Sequence, residues 1–253
     1  MTIRALIRGV PDSFANALSA APREVPIDVR LAREQHAAYR AALEASGAAV
    51  AELPADARFP DCVFVEDTAV VAGGLALISR PGAPSRRGEI EAVAAELARH
   101  LEIARLSEPA TLDGGDCMLL GATLYIGRSA RTNAVGVAAA EALLGPRGVR
   151  VVAVELPPGV LHLKCVCSPL GADRVLLAEG SLPPDLFDAE IVWVPAEEQY
   201  AANAVAIGDH AITAAEYPRT RAALESAGFR VHPVSTSEVR KADGSLTCQS
   251  ILL

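Results

Sequence analysis

No apolar run in this sequence is long enough to span a bilayer, and its start, Met1-Thr2-Ile3-Arg4-Ala5, lacks the apolar stretch of a secretory leader. Neither membrane insertion nor export is expected, and a cytoplasmic location is. A disulfide framework is missing too. Cys62, Cys117, Cys165, Cys167 and Cys248 are an odd number in a chain of 253 residues, which points to reduced thiols. Metal-binding spacing is likewise absent: Cys165 and Cys167 stand one residue apart, and His36, His100, His162, His210 and His232 do not cluster with them, so no metal is expected. Excess positive charge is absent as well. The net charge of −8 and pI near 5.2 argue against nucleic acid or an anionic membrane as partner and suit a cationic small molecule. No linker or low-complexity stretch divides the chain. With 51% hydrophobic residues it can build a sizeable core, and residues 1–253 are expected to form a single domain.

What is present is a repeat. Ile3 to Val10 reads as a strand and Leu31 to Ser46 as an alanine-rich helix, with Tyr39, Ala42 and Leu43 on one face and Gly47 as its stop. Val63 to Val71 and Leu75 to Ser79 read as strands, and Ser85 as the cap of a helix whose Ile90, Val93 and Leu97 share an apolar face. The series continues with a hairpin from Asp116 to Gly127, a helix from Asn133 to Leu144, paired strands at Leu161 to Cys167 and Val175 to Ala178, and a helix from Pro218 to Ala227. A strand, strand, helix, strand unit thus recurs about five times, once per fifty residues or so. The class is α/β, built from internal repeats.

The polar landmarks keep the same step. Asp67 to Asp113 spans 46 positions, Asp113 to His162 spans 49, and His162 to Cys248 spans 86, two steps of 43. Repeats set around an axis would bring these residues together, giving an acid, a histidine and a cysteine without any local motif. Each has a plainer reading alone. Cys248, in Leu246-Thr247-Cys248-Gln249-Ser250, could be a buried strand residue, and His162, between Leu161 and Leu163, a hydrogen-bonded core histidine. In register, His162 is the natural base for Cys248. Glu66 and Asp67 lie in an apolar run, where buried carboxylates require a cation, either an internal arginine or a ligand. In Asp113-Gly114-Gly115-Asp116 the glycines permit close backbone approach, and Asp116 satisfies backbone amides. Arg86 and Arg131 each stand near a helix start, where a cation is better explained if it meets a carboxylate.

Together, Pro60-Asp61-Cys62-Val63-Phe64-Val65-Glu66-Asp67, Arg80-Pro81-Gly82-Ala83-Pro84-Ser85-Arg86-Arg87, Leu112-Asp113-Gly114-Gly115-Asp116, Arg131-Thr132-Asn133, Leu161-His162-Leu163-Lys164 and Gly244-Ser245-Leu246-Thr247-Cys248 resemble the dimethylarginine dimethylaminohydrolase family along nearly the whole chain. The resemblance implies an α/β, five-fold pseudosymmetric ββαβ propeller (pentein) that hydrolyses N-methylated arginine to citrulline. It implies Cys248 as nucleophile, His162 as acid and base, and Asp113 as the carboxylate orienting it. Glu66 and Asp67 would hold the guanidinium, Asp61 the amino end with backbone carbonyls near Leu18 and Ala242, and Arg86 and Arg131 the α-carboxylate. Leu18 would lie in a mobile lid. No metal or organic cofactor is implied.

Two alternatives differ in identifiable residues. Arginine deiminases carry a second aspartate two residues after the histidine, where this chain has Lys164, and agmatine lacks the carboxylate that paired arginines would bind. A non-catalytic propeller of the ribosome anti-association kind would have no need of cysteine, histidine and acid in register. Ser245 stands where animal members have leucine, and Cys165 where they have serine, which bears on pocket width and hence on N-methyl preference.

Overall fold

The structure, a computed structural model, describes residues 3–253; Met1 and Thr2, part of the stretch read for a leader, lie outside the described residues. Five three-stranded sheets succeed one another, and each repeats one pattern: an inner strand antiparallel to a middle strand, which is parallel to an outer one. The first sheet combines β1 (Arg4–Arg8), the helix α1 (Val29–Ala45) and β2 (Ala49–Leu53). The second has β3 (Ala69–Ala72), β4 (Leu75–Ile78), α2 (Ile90–Leu97) and β5 (Glu102–Arg105). β6 (Cys117–Leu120), β7 (Thr123–Arg128), α3 (Ala134–Leu144) and β8 (Arg150–Glu155) form the third. In the fourth, β9 (Cys167–Pro169), β10 (Arg174–Ala178) and β11 (Glu190–Val194), the helix shrinks to a 3-10 turn at Pro184–Leu186. The fifth holds β12 (Val205–Ile207), β13 (His210–Ala214), α4 (Pro218–Ser226) and β14 (Arg230–Val234). After the short α5 (Ser237–Arg240), the last strand β15 (Ser250–Leu252) returns to pair with β1, Leu6 opposite Ile251, and so supplies the first sheet's inner strand.

The five inner strands surround one axis. Val70, Met118, Pro169, Ala206 and Ile251, one from each, line a common cavity of about 230 Å³. Helices seal the outside and the joints between blades: Tyr39 and Leu43 of α1, both 0% exposed, pack with Ile7 of β1, Val205 and Ile207 of β12 and Val234 of β14, so one helix closes first blade on last. Burial of a side chain like Leu43 contributes roughly 1.5–3 kcal/mol. No helix among the described residues is long and apolar enough to cross a membrane.

Local readings differ in instructive places. α1 begins two residues before the expected Leu31, because the Asp28 carboxylate caps the Leu31 amide at 3.0 Å; Gly47, at φ +89°, ends it as expected. α2 starts at Ile90 rather than from a Ser85 cap, since Ser85 lies in the 3-10 turn Pro84–Arg86. The runs read as strands at Val63–Val71 and Leu161–Cys167 are each a 3-10 turn, Val65–Thr68 and Leu163–Cys165, feeding a short inner strand. Similar turns precede β6 at Gly114–Asp116, β12 at Ala196–Ala202 and β15 at Thr247–Gln249. The polar landmarks sit at these turns and not in the strands: Asp67 and Cys248 lie within theirs, and Asp113 and His162 stand immediately before theirs.

Candidate active site

A pocket of about 130 Å³ opens at the axis beside those turns, and it gathers most of the expected residues. Cys248, His162 and Asp113 line it together with Asp67. Asp61, Arg86, Arg131, Leu18 and Ala242 complete its wall. The 230 Å³ axial cavity is larger, but of the expected residues it meets only Glu66, so the chemistry belongs to the smaller pocket.

His162 faces Asp113, with Nε2 3.2 Å from Oδ2, while the other oxygen of Asp113 accepts the Gly82 amide at 2.8 Å. The carboxylate is thereby fixed from two sides. Burial works to lower the imidazole's pKa, but the negative charge of Asp67, with Asp113 and Asp116 behind it, prevails and lifts it to about 9. His162 is an imidazolium at neutral pH. Gly115 lets it sit there: a Cβ on that glycine would lie 2.7 Å from His162 Nδ1 and 2.9 Å from Asp67 Oδ1. Asp116 is used structurally, as expected, accepting the Leu163 amide at 3.0 Å and the Ser129 hydroxyl at 2.6 Å.

Cys248 is partly exposed to the pocket, and its neighbours are anchored on both sides. Downstream, Gln249 and Ser250 meet α1 through His36 Nδ1 at 2.9 Å and Tyr39 Oη at 2.7 Å. Burial first, then Glu66 and Asp67, push the thiol well above its ordinary range. Cys248 is thereby held as a thiol at neutral pH. A bound guanidinium would reverse the electrostatic part of that shift.

Asp67 binds Arg86 Nη1 at 2.5 Å and the Gly115 amide at 2.9 Å. Burial opposes its ionisation, but Arg86 and the His162 imidazolium hold it down at about 2. One donor atom each of Asp67, Asp113 and His162 lies within 4.8 Å of the others, which is ligand spacing; a divalent ion there would stand against the Arg86 guanidinium and an imidazolium.

Two expected residues depart from their assignments. Glu66 does not enter the pocket: Lys164 Nζ, 2.5 Å from its Oε1, and the Thr247 hydroxyl, 2.7 Å from its Oε2, draw it beneath the floor. Asp67 is thus the member of that pair facing the guanidinium position. Arg86 lines the pocket, yet its donors are spent on Asp67, on Glu89 at 2.8 Å and on the Phe64 carbonyl at 2.9 Å. Arg131 differs, because its guanidinium has no hydrogen-bond or ion-pair partner among the described residues.

Sequence reasoning missed what ties down the segment around Leu18. Leu18 donates its amide to Asp61 Oδ1 at 3.0 Å, and Arg23 ties this segment to the chain after α5 by donating to the carbonyls of Ala17, Leu18 (3.2 Å) and Lys241 (2.7 Å). Asp243, at φ +55°, accepts the Ala20 amide at 2.5 Å from the other side. Nothing marked Arg23 as more than a solvated cation. Arg23→Ala is expected to speed hydrogen exchange at the Leu18 and Ala20 amides roughly ten- to a hundredfold, the equivalent of two or three hydrogen bonds. Unchanged exchange there by mass spectrometry would show that other contacts hold the segment.

A ring of five three-stranded blades, ββαβ in pattern with the fourth helix reduced to a 3-10 turn, and with a cysteine, a histidine and carboxylates at its axial mouth, defines a guanidine-modifying propeller enzyme, the pentein class. A family model for "N,N dimethylarginine dimethylhydrolase, eukaryotic" matches residues 11–248. The N(G),N(G)-dimethylarginine dimethylaminohydrolase of Pseudomonas aeruginosa is 42% identical over 227 residues, 88% of this chain and 89% of the relative. That of Streptomyces coelicolor is 39% identical over 257 residues, 99% and 96% of the two. This chain belongs to the dimethylarginine dimethylaminohydrolase family. A solved structure of the Pseudomonas enzyme, a cysteine-to-serine variant complexed with citrulline, superposes with a TM-score of 0.95 at 38% identity over 100% of both chains. A second solved structure, of a dimethylarginine dimethylaminohydrolase histidine-to-glycine variant in an adduct with S-methyl-L-thiocitrulline, matches with the same score, identity and coverage.

Proposed function

We propose that this enzyme, acting as one catalytic domain in the cytoplasm, hydrolyses dimethylarginine or monomethylarginine to citrulline and the corresponding methylamine. The observation carrying this reading is His162, hydrogen-bonded to Asp113, in the pocket that also holds Cys248. The substrate guanidinium would lie against Asp67, and its charge offsets the carboxylates that keep Cys248 protonated. The Cys248 thiol releases its proton to solvent water, and the thiolate forms a bond to the guanidinium carbon. His162 gives its proton to the methylated nitrogen, the C–N bond breaks, and the amine leaves behind a cysteine-bound thiouronium. Neutral His162 takes one proton from water, whose oxygen bonds to the same carbon; the C–S bond breaks, the remaining hydroxyl proton passes to the departing sulfur, and citrulline leaves with the Cys248 thiol and the His162 imidazolium restored. Every proton donor and acceptor in this sequence is a side chain of the chain or water.

The amino-acid end is read by Asp61, which keeps one carboxylate oxygen for the ammonium, with carbonyls at Leu18 and Ala242, and by Arg131 for the α-carboxylate. Arg86 organises Asp67 instead of competing for substrate. Arg131→Ala removes a charged hydrogen bond of about 1.5–3 kcal/mol and is expected to raise KM roughly ten- to a hundredfold with kcat little changed. The decarboxylated analogue should be poor already and lose little more. Equal losses for both ligands would make Arg131 a structural charge and remove the amino-acid assignment.

A further inference from the structure

We propose that Asn203 is a positioning residue of the reaction, an amide that fixes the histidine-bearing and cysteine-bearing arms of the site against each other. The proposal rests on the hydrolase reading above and deepens it. Between His162 and Cys248 the landmark spacing doubles to 86 positions, so one blade supplies nothing to the expected site. That blade's inner strand, β12, starts at Val205, and Asn203 stands two residues before it. Asp67 precedes β3, and Cys248 precedes β15, by the same two residues. Asp113 and His162 stand four and five residues before β6 and β9, so it is the position equivalent to Asp67 and Cys248 that this blade fills, with a side chain without charge.

Asn203 is 3% exposed, and all of its polar groups point at the two arms. Its Oδ1 accepts the Thr247 amide at 2.9 Å, from the residue immediately before Cys248. Its Nδ2 donates to the Lys164 carbonyl at 2.8 Å, two residues after His162, and to Thr247 Oγ1 at 3.0 Å. Two donors and an acceptor are thus satisfied, which leaves the amide a single orientation. Thr247 Oγ1 passes its own proton to Glu66 Oε2 at 2.7 Å, and Lys164 Nζ meets Glu66 Oε1 at 2.5 Å, so the ring closes under the pocket floor. The backbone of Asn203 is held as well: Ser168 Oγ donates to the Ala202 carbonyl at 2.6 Å and accepts the Ala204 amide at 3.1 Å. Asn203 does not line the pocket, and so acts on the reaction only through the residues it holds. Thiolate attack and proton delivery need Cys248 and His162 in fixed relation, and a misplacement of about 1 Å can cost on the order of a hundredfold in rate.

The test is steady-state hydrolysis of asymmetric dimethylarginine by the full chain and by Asn203→Leu, which keeps the volume and removes all three bonds. We expect kcat to fall about a hundredfold while KM changes by less than about threefold, because Asp61 and Arg131 lie outside the ring. Unchanged kcat, or a rise in KM alone, would overturn the proposal. Should Asn203→Leu fail to fold, Asn203→Asp is used: its acid form can still donate one hydrogen bond. Its kcat relative to the unsubstituted enzyme should then recover as pH falls, and a pH-independent ratio would overturn the proposal. If the unsubstituted protein does not turn over dimethylarginine, the hydrolase reading fails and the staple is judged on Cys248 alkylation by iodoacetamide. A variant rate equal to the unsubstituted rate would then contradict it, and a changed rate would support it.

Discussion

Cys248→Ser is expected to lower turnover of dimethylarginine by roughly 10⁴-fold or more, as loss of a covalent nucleophile generally does, with the fold intact. Serine at Cys62, Cys117, Cys165 or Cys167 should leave activity near normal. Cys62, Cys117 and Cys167 are buried, and burial pushes Cys165 up to about 11; none of the four lines the pocket. The same reading fixes how Cys248 responds to reagents. Because burial and the carboxylates of Glu66 and Asp67 raise its thiol, alkylation of the free enzyme by a neutral reagent should be slow at pH 7 and climb only at high pH. A small guanidinium compound that does not cover the sulfur should accelerate it. A Cys248→Ser enzyme with near-normal turnover would sink the covalent mechanism.

His162→Gly should be nearly as damaging to turnover, yet it should spare the first bond-forming step when the leaving group needs no proton. With S-methyl-L-thiocitrulline, intact mass spectrometry is expected to find Cys248 carrying a stable adduct, since no base remains to activate water. Absence of an adduct would place the nucleophile elsewhere or make the histidine necessary for attack. In the unsubstituted enzyme, activity should fall as pH rises through about 9, where the imidazolium loses the proton it must deliver. The linkage to stability has the same direction. A folded pKa of about 9 against 6.5 unfolded stabilises the fold fully below pH 6.5, and that contribution disappears as pH climbs to about 9. Asp113→Asn, which keeps the shape but removes a charge bonded to His162, should shift the falling limb of activity to lower pH.

The fifty-residue step made the five repeats legible, because the apolar pattern recurs with it; that they close into a propeller was implied by the family resemblance rather than by the step. The turns were not legible. Val63–Val71 and Leu161–Cys167 have strand composition, and only the packed ring makes each bend into a 3-10 turn that aims its side chains at the axis. Cys248, His162 and Asp113 could be read because each breaks an apolar or glycine-rich context with a reactive group. Glu66 could not be distinguished from Asp67, since what removes it from the pocket is Lys164, 98 residues away. Arg86 and Arg131 likewise looked alike until Glu89, three residues beyond Arg86, was seen to claim the first. Asn203 carries no charge and left no trace except a doubled interval.

Family membership and site geometry converge on one reaction, and one assay separates it from deimination. The purified enzyme is given asymmetric dimethylarginine and arginine in parallel, and dimethylamine, ammonia and citrulline are measured. Dimethylamine and citrulline in equal amounts from the first substrate, with little ammonia from the second, is the predicted result. Ammonia released from arginine as the dominant product, or no amine from either substrate, would contradict it.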